Sequence, residues 1–140
     1  MYGNCTWYQL SSTHSLNSII NNFCQLFGYN QFNAHMTIEY NVDDKIDTTK
    51  YSKYNFVKHN NIYKTLENNI YCIQQDYITE EIPKKIYHIS LAYKQNSDFT
   101  IRETEFLNSM KLPDRIKKEE ITIHLWNCNS ANPKKWKLIK

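Results

Sequence analysis

Residues 33–40 read Asn33-Ala34-His35-Met36-Thr37-Ile38-Glu39-Tyr40, and residues 85–93 read Lys85-Ile86-Tyr87-His88-Ile89-Ser90-Leu91-Ala92-Tyr93. Both contain His-x-(Ser/Thr)-apolar, and both carry a tyrosine five residues beyond the histidine. Their alternating, β-branched character predicts a strand for each. Side chains at i and i+2 share one face of a strand, so His35 and Thr37 point one way while Met36 and Ile38 enter the core. The same parity sends His88 and Ser90 one way and Ile89 and Leu91 the other. If the strands lie side by side, two imidazoles and two hydroxyls meet in one cleft.

Around these strands the pattern is that of an α+β domain. Cys5 to Leu10 is short, β-branched and aromatic, and predicts a first strand. Leu16, Ile19, Ile20, Phe23, Cys24 and Phe27 form one apolar stripe at helical spacing, with Ser11-Ser12-Thr13 as caps before it and Gly28 after it. This predicts a helix over 13–27. A polar loop carries Asp43, Asp44 and Asp47. The pairs Asn60-Asn61 and Asn68-Asn69 then divide 51–76 into three short strands, about 53–58, 62–66 and 70–76. A second helix opens on a capping box, Thr100 to Glu103, buries Phe106, Leu107 and Met110, and stops before Pro113. The strictly alternating 120–126 is a strand, and 135–139 returns beside it as a hairpin.

At 140 residues the chain is one domain, spanning 1–140, because two would each lack a core. With 41% hydrophobic and 22% charged residues the composition is globular, and no run approaches the roughly 20 apolar residues of a bilayer span. The opening residues Met1 to Thr6 show neither a basic nor an apolar leader segment. Four cysteines at 5, 24, 72 and 128 include no CxxC pair, so reduced thiols of a cytoplasmic protein are expected, with no zinc site and no disulfide framework. A net charge of +3 suits an anionic ligand but not a general nucleic-acid binder. Asn, Ile, Lys and Tyr have AT-rich codons, and their abundance is compatible with a viral source.

Two histidines with two hydroxyls suit phosphoryl transfer. A neutral imidazole takes the proton of the attacking oxygen, an imidazolium protonates the leaving oxygen, and the hydroxyls hold the non-bridging oxygens. Histidine fits because both protonation states are accessible near neutrality. The scheme uses no metal and no cofactor. Paired His-x-(Ser/Thr)-apolar strands, 53 residues apart and preceded by a strand and an amphipathic helix, resemble the 2H phosphoesterase (LigT-like) superfamily. The resemblance implies a bilobal, pseudo-symmetric fold with antiparallel sheets lining a central cleft and two main helices. It implies His35 and His88 as the catalytic pair, with Thr37 and Ser90 holding the phosphate. The family's helix before the second motif is reduced or moved here, since 74–84 is short and contains Pro83.

Small viral and phage members of that superfamily are similar in length and motif order. They imply a metal-independent phosphodiesterase that cleaves cyclic dinucleotides or 2′-5′ oligoadenylates, immune second messengers, in the host cytosol. The expected partner is thus a small nucleotide or cyclic oligonucleotide, with no membrane and no stable protein partner. The alternatives are an RNA end-processing enzyme acting on 2′,3′-cyclic phosphates or 2′-5′ linkages, a non-catalytic nucleotide-binding module, and a structural domain whose motif pair is accidental. Tyr8, Trp126 and Trp136 are candidates for stacking on a nucleobase, with Tyr8 favoured because its strand lines the cleft in 2H proteins. His124, on a face with Thr122 and Trp126, is a further substrate-binding candidate. Glu39, by parity, shares the face of His35 and would tune it. His14 and His59 read as surface residues.

Overall fold

The stripe from Leu16 to Cys24 needs a sheet to cover, and the sheet it covers runs through the whole chain. A computed structural model describes residues 3–140; Met1 and Tyr2, the start of the segment read as lacking a leader, lie outside them. In chain order the elements are β1 (Asn4–Leu10), α1 (Ser15–Phe27), β2 (His35–Glu39), β3 (Phe56–Glu67), β4 (Ile70–Thr79), β5 (Ile86–Gln95), α2 (Ile101–Ser109), β6 (Arg115–Ile116), β7 (Ile121–Asn127) and β8 (Lys137–Leu138). The strands form one antiparallel sheet in the order β6-β3-β4-β5-β2-β1-β7-β8. Where two sheets in two lobes were expected, a single sheet joins two four-strand halves through the β2–β5 pair. Met36 opposite Ile89 is the register pair of that seam. Among the described residues no helix is long and apolar enough to cross a membrane.

Both helices cover one face of the sheet. α1 buries Leu16, Ile19, Ile20, Phe23 and Cys24 in a single core with Tyr8, Met36, Phe56, Ile89 and Leu91. Each large apolar side chain so buried contributes about 1.5–3 kcal/mol. The helix ends at Gly28, whose φ of 80° is the left-handed cap conformation. Its N-cap is His14, whose Nδ1 accepts from the Leu16 amide at 3.1 Å. Expected at the surface, His14 is instead buried, with Nε2 3.5 Å from a Glu120 carboxylate oxygen. α2 has the expected capping box, and its Glu103 is buried while accepting from the Thr100 amide, Lys94 and the Tyr29 hydroxyl. Burial opposes that carboxylate's charge, but the three donors outweigh it and hold its pKa below the usual range.

Three further expectations change. The strands expected over 53–58 and 62–66 are one strand, β3, because Asn60 at φ 60° is absorbed as a register shift rather than a break. Asn68 and Asn69, at φ 51° and 61°, do form the two-residue turn into β4. Residues 74–79 belong to β4, so no helix precedes the second motif; α2 follows β5 instead. The closing strand is only Lys137–Leu138, since a 3-10 turn over Pro133–Lys135 takes up the residues before it.

Candidate active site

With Met36 opposite Ile89 in an antiparallel pair, His35 is set toward Ser90 and Thr37 toward His88. Met36 and Ile89 are fully buried under the helices, and the four polar side chains emerge on the other face. There His35, Thr37, His88 and Ser90 line one cavity of about 330 Å³. The size lies within the range of small-molecule sites.

His35 is buried and tightly fixed. Its ring stacks on Trp7 with centroids 3.4 Å apart and planes 11° apart, and Trp136 meets it edge-on at 5.9 Å. Its Nδ1 lies 2.7 Å from the Asn33 carbonyl oxygen. A carbonyl only accepts, so Nδ1 carries the hydrogen and Nε2 is left with a lone pair. Burial and, more weakly, the neighbouring His88 push its pKa down to about 4, against the opposing hydrogen bond to Asn33. At neutral pH it is an uncharged acceptor.

His88 is only half-buried. Desolvation lowers its pKa too, but Asp76, opposite it in the β4–β5 register, pulls the other way. Asp76 is itself oriented by the Tyr63 hydroxyl at 2.7 Å. The imidazolium form of His88 therefore has a carboxylate to favour it, and that of His35 has none. Both imidazoles are lowered on balance, and the sides differ in that only the His88 imidazolium has a counter-charge opposing its burial.

The remaining candidates separate. Trp136 lines the cavity, fixed by its indole N–H donating to the Ser130 carbonyl at 2.8 Å. Trp126 does not border the cavity; it stacks on Trp7 at 4.6 Å and donates to Gln9 at 2.9 Å. His124 is opposite Trp7 in the β1–β7 register, bonded through Nε2 to Thr122, and does not border the cavity. Tyr8 is a correction. It occupies the core face of β1, packed against Phe56 and Tyr87, with its hydroxyl donating to the Ser52 carbonyl at 2.6 Å. Its neighbour Trp7 takes the cleft face. Glu39 is a second correction. A register shift between Thr6 and Trp7 against β2 turns it away from His35, and its carboxylate accepts from Tyr51 at 2.9 Å.

Missed by the sequence reading were Trp7, Asp76 and the two tyrosines Tyr40 and Tyr93, which both border the cavity. The shared spacing of Tyr40 and Tyr93 was the available signal. Cys5 and Cys128 also face the cavity, in mutual contact, and all four cysteines are buried thiols. Among the described residues, no three His, Cys, Asp or Glu side chains gather as metal ligands. No protein-family model, curated protein or solved structure matches this chain.

Proposed function

We propose that the protein is a metal-independent phosphodiesterase of the 2H type, acting on a small nucleotide through His35 and His88. The observation that carries this reading is the crosswise alignment of the two His-x-(Ser/Thr) motifs about Met36 and Ile89, with all four polar side chains on one cavity. His35 Nε2 removes the proton of the attacking oxygen, either water or a ribose hydroxyl. That oxygen bonds to phosphorus, and the bond to the leaving oxygen breaks as His88, protonated beside Asp76, delivers its proton there. Thr37 and Ser90 donate to the non-bridging oxygens. A second turnover needs only the two protons exchanged with solvent.

The substrates we favour are cyclic dinucleotides or 2′-5′ oligoadenylates, a choice that rests on the family resemblance and on a cavity sized for part of a small nucleotide rather than a duplex. The test is turnover in EDTA of 3′-5′ and mixed-linkage cyclic dinucleotides, 2′-5′ oligoadenylate and a 2′,3′-cyclic nucleotide. Cleavage of one class that is lost in the His35→Ala/His88→Ala double variant is the expected result. Binding without turnover of any of them would replace the enzyme reading by the nucleotide-binding module.

A further inference from the structure

The two motif strands share an irregularity that the acid–base scheme leaves unused. Along β2, Trp7 faces Thr37 and Thr6 then faces Glu39, so Ile38 is an extra residue. Along β5, Gln74 faces Ser90 and Ile73 then faces Ala92, so Leu91 is an extra residue. Each bulge thus falls on the apolar residue directly after the motif hydroxyl. In a regular strand a residue five beyond the histidine would point to the opposite face. One inserted residue reverses the parity and brings it back to the histidine's side. Tyr40 and Tyr93 accordingly both border the cavity. The phenol of Tyr40 meets Thr37 and that of Tyr93 meets Ser90.

The rest of the lining says what such phenols are for. Among the described residues no lysine or arginine borders this cavity, and the one carboxylate on its wall is that of Glu67, at the exposed rim. Among the described residues, the side chains of the lining offer a bound phosphate no cation but a protonated histidine. Its oxygens must be satisfied by neutral donors, and tyrosine hydroxyls are strong ones. Desolvation raises both phenol pKa values, that of Tyr40 at the cavity mouth and that of half-buried Tyr93, so each keeps its proton at neutral pH.

We propose that Tyr40 and Tyr93 bind the substrate phosphate, each donating its hydroxyl, beside Thr37 or Ser90, to a non-bridging oxygen. The inference rests on the phosphodiesterase reading and narrows its substrate class. Four neutral donors and one imidazolium match the single negative charge of an internal or cyclic diester, rather than the double charge of a terminal monoester.

The test uses Tyr40→Phe and Tyr93→Phe, which remove the hydroxyl and keep the ring. On the diester the wild type cleaves, each variant should lower kcat/KM roughly 10- to 100-fold, the cost of one hydrogen bond to a charged group. Unchanged kcat/KM in both variants, with the His35 and His88 variants inactive, overturns the tyrosine inference and leaves the enzyme standing. If the wild type cleaves nothing, calorimetric titration with 2′,3′-cyclic AMP and with 3′-AMP decides. Tighter binding of the cyclic monoanion, weakened in both Phe variants, upholds the tyrosine inference while the enzyme reading falls. Equal binding by wild type and variants, no binding by the wild type, or preference for the doubly charged nucleotide overturns it.

Discussion

The two halves of the sheet present the same tetrapeptide pattern in different surroundings. On β2, His35 is enclosed by Trp7 and Trp136, and its Nδ1–H is committed to a backbone carbonyl. On β5, His88 is more open and faces Asp76 across the β4–β5 ladder. Burial without a counter-charge makes a histidine that stays neutral; burial with one makes a histidine that a nearby anion can charge. In the proposed reaction the tetrapeptide supplies the acid and base, and the strands beside it set their surroundings. The halves also differ in how they reach the seam, since α1 precedes β2 whereas a direct hairpin turn precedes β5.

The largest break in this comparison is to remove either histidine. His35→Ala and His88→Ala should each lower kcat/KM by about 10²–10⁴-fold, the usual contribution of a positioned acid or base. The double variant should fall little further, because groups that act as a unit are not additive. Steady-state kinetics on the cleaved diester, with circular dichroism to confirm folding, checks both statements. Full activity in one single variant would sink the paired scheme.

Next in size is the stability stored in a neutral His35. Its folded pKa of about 4 lies below the unfolded value near 6.5, so the unfolded chain binds the proton more readily. The corresponding stability is fully present above pH 6.5 and is lost as pH falls from there toward 4, amounting to about 3 kcal/mol for a shift of this size. Desolvated His14 and His88, both lowered, act in the same direction. Urea unfolding at pH 7.5 and pH 5 should therefore show a smaller loss in His35→Asn than in the wild type. Equal losses would mean that His35 is not held neutral by the fold.

Asp76→Asn sharpens the contrast by making the second half resemble the first. Without the carboxylate the His88 imidazolium loses its one opposing support, so its pKa falls further. If His88 acts as the proposed general acid, it must be protonated, and the alkaline limb of the kcat/KM profile should move to lower pH. The acidic limb, governed by His35 near pH 4, should stay in place. Activity at pH 7 should fall severalfold and recover in part at pH 5. A uniform loss at all pH values would assign Asp76 a packing role instead.

What could be read without the structure follows from how local each feature is. Period-2 alternation put His35 with Thr37 and His88 with Ser90, because parity within a strand needs no knowledge of its neighbours, whereas the meeting of the two pairs depends on β2 lying beside β5. The stripe from Leu16 to Phe27 declared α1 for the same reason. β1 was ambiguous, with Trp7 and Tyr8 offering an aromatic to each face, and only the side on which α1 packs decides between them. The bulges at Ile38 and Leu91 leave no mark in composition, yet they reverse the facing of every residue after them. They sent Glu39 away from His35 and brought Tyr40 and Tyr93 to the cavity. Asp76 was illegible for another reason: its partner His88 is set by strand register across a turn, not by spacing.

The smallest expected effect comes from making the two motifs alike. Thr37→Ser gives β2 the hydroxyl that β5 already has, and removes one methyl group from a half-buried position. The lost burial costs up to about 0.8 kcal/mol of stability, the value of one methylene-sized group. The hydroxyl proposed to donate to the phosphate, which meets Tyr40, is retained. If Thr37 acts through its oxygen, kcat/KM should stay near the wild-type value in Thr37→Ser and fall about 10- to 100-fold in Thr37→Val, which keeps the shape and loses the donor. Equal losses in the two variants would show that the methyl group matters, and that β2 and β5 hold the phosphate by different means despite their common pattern.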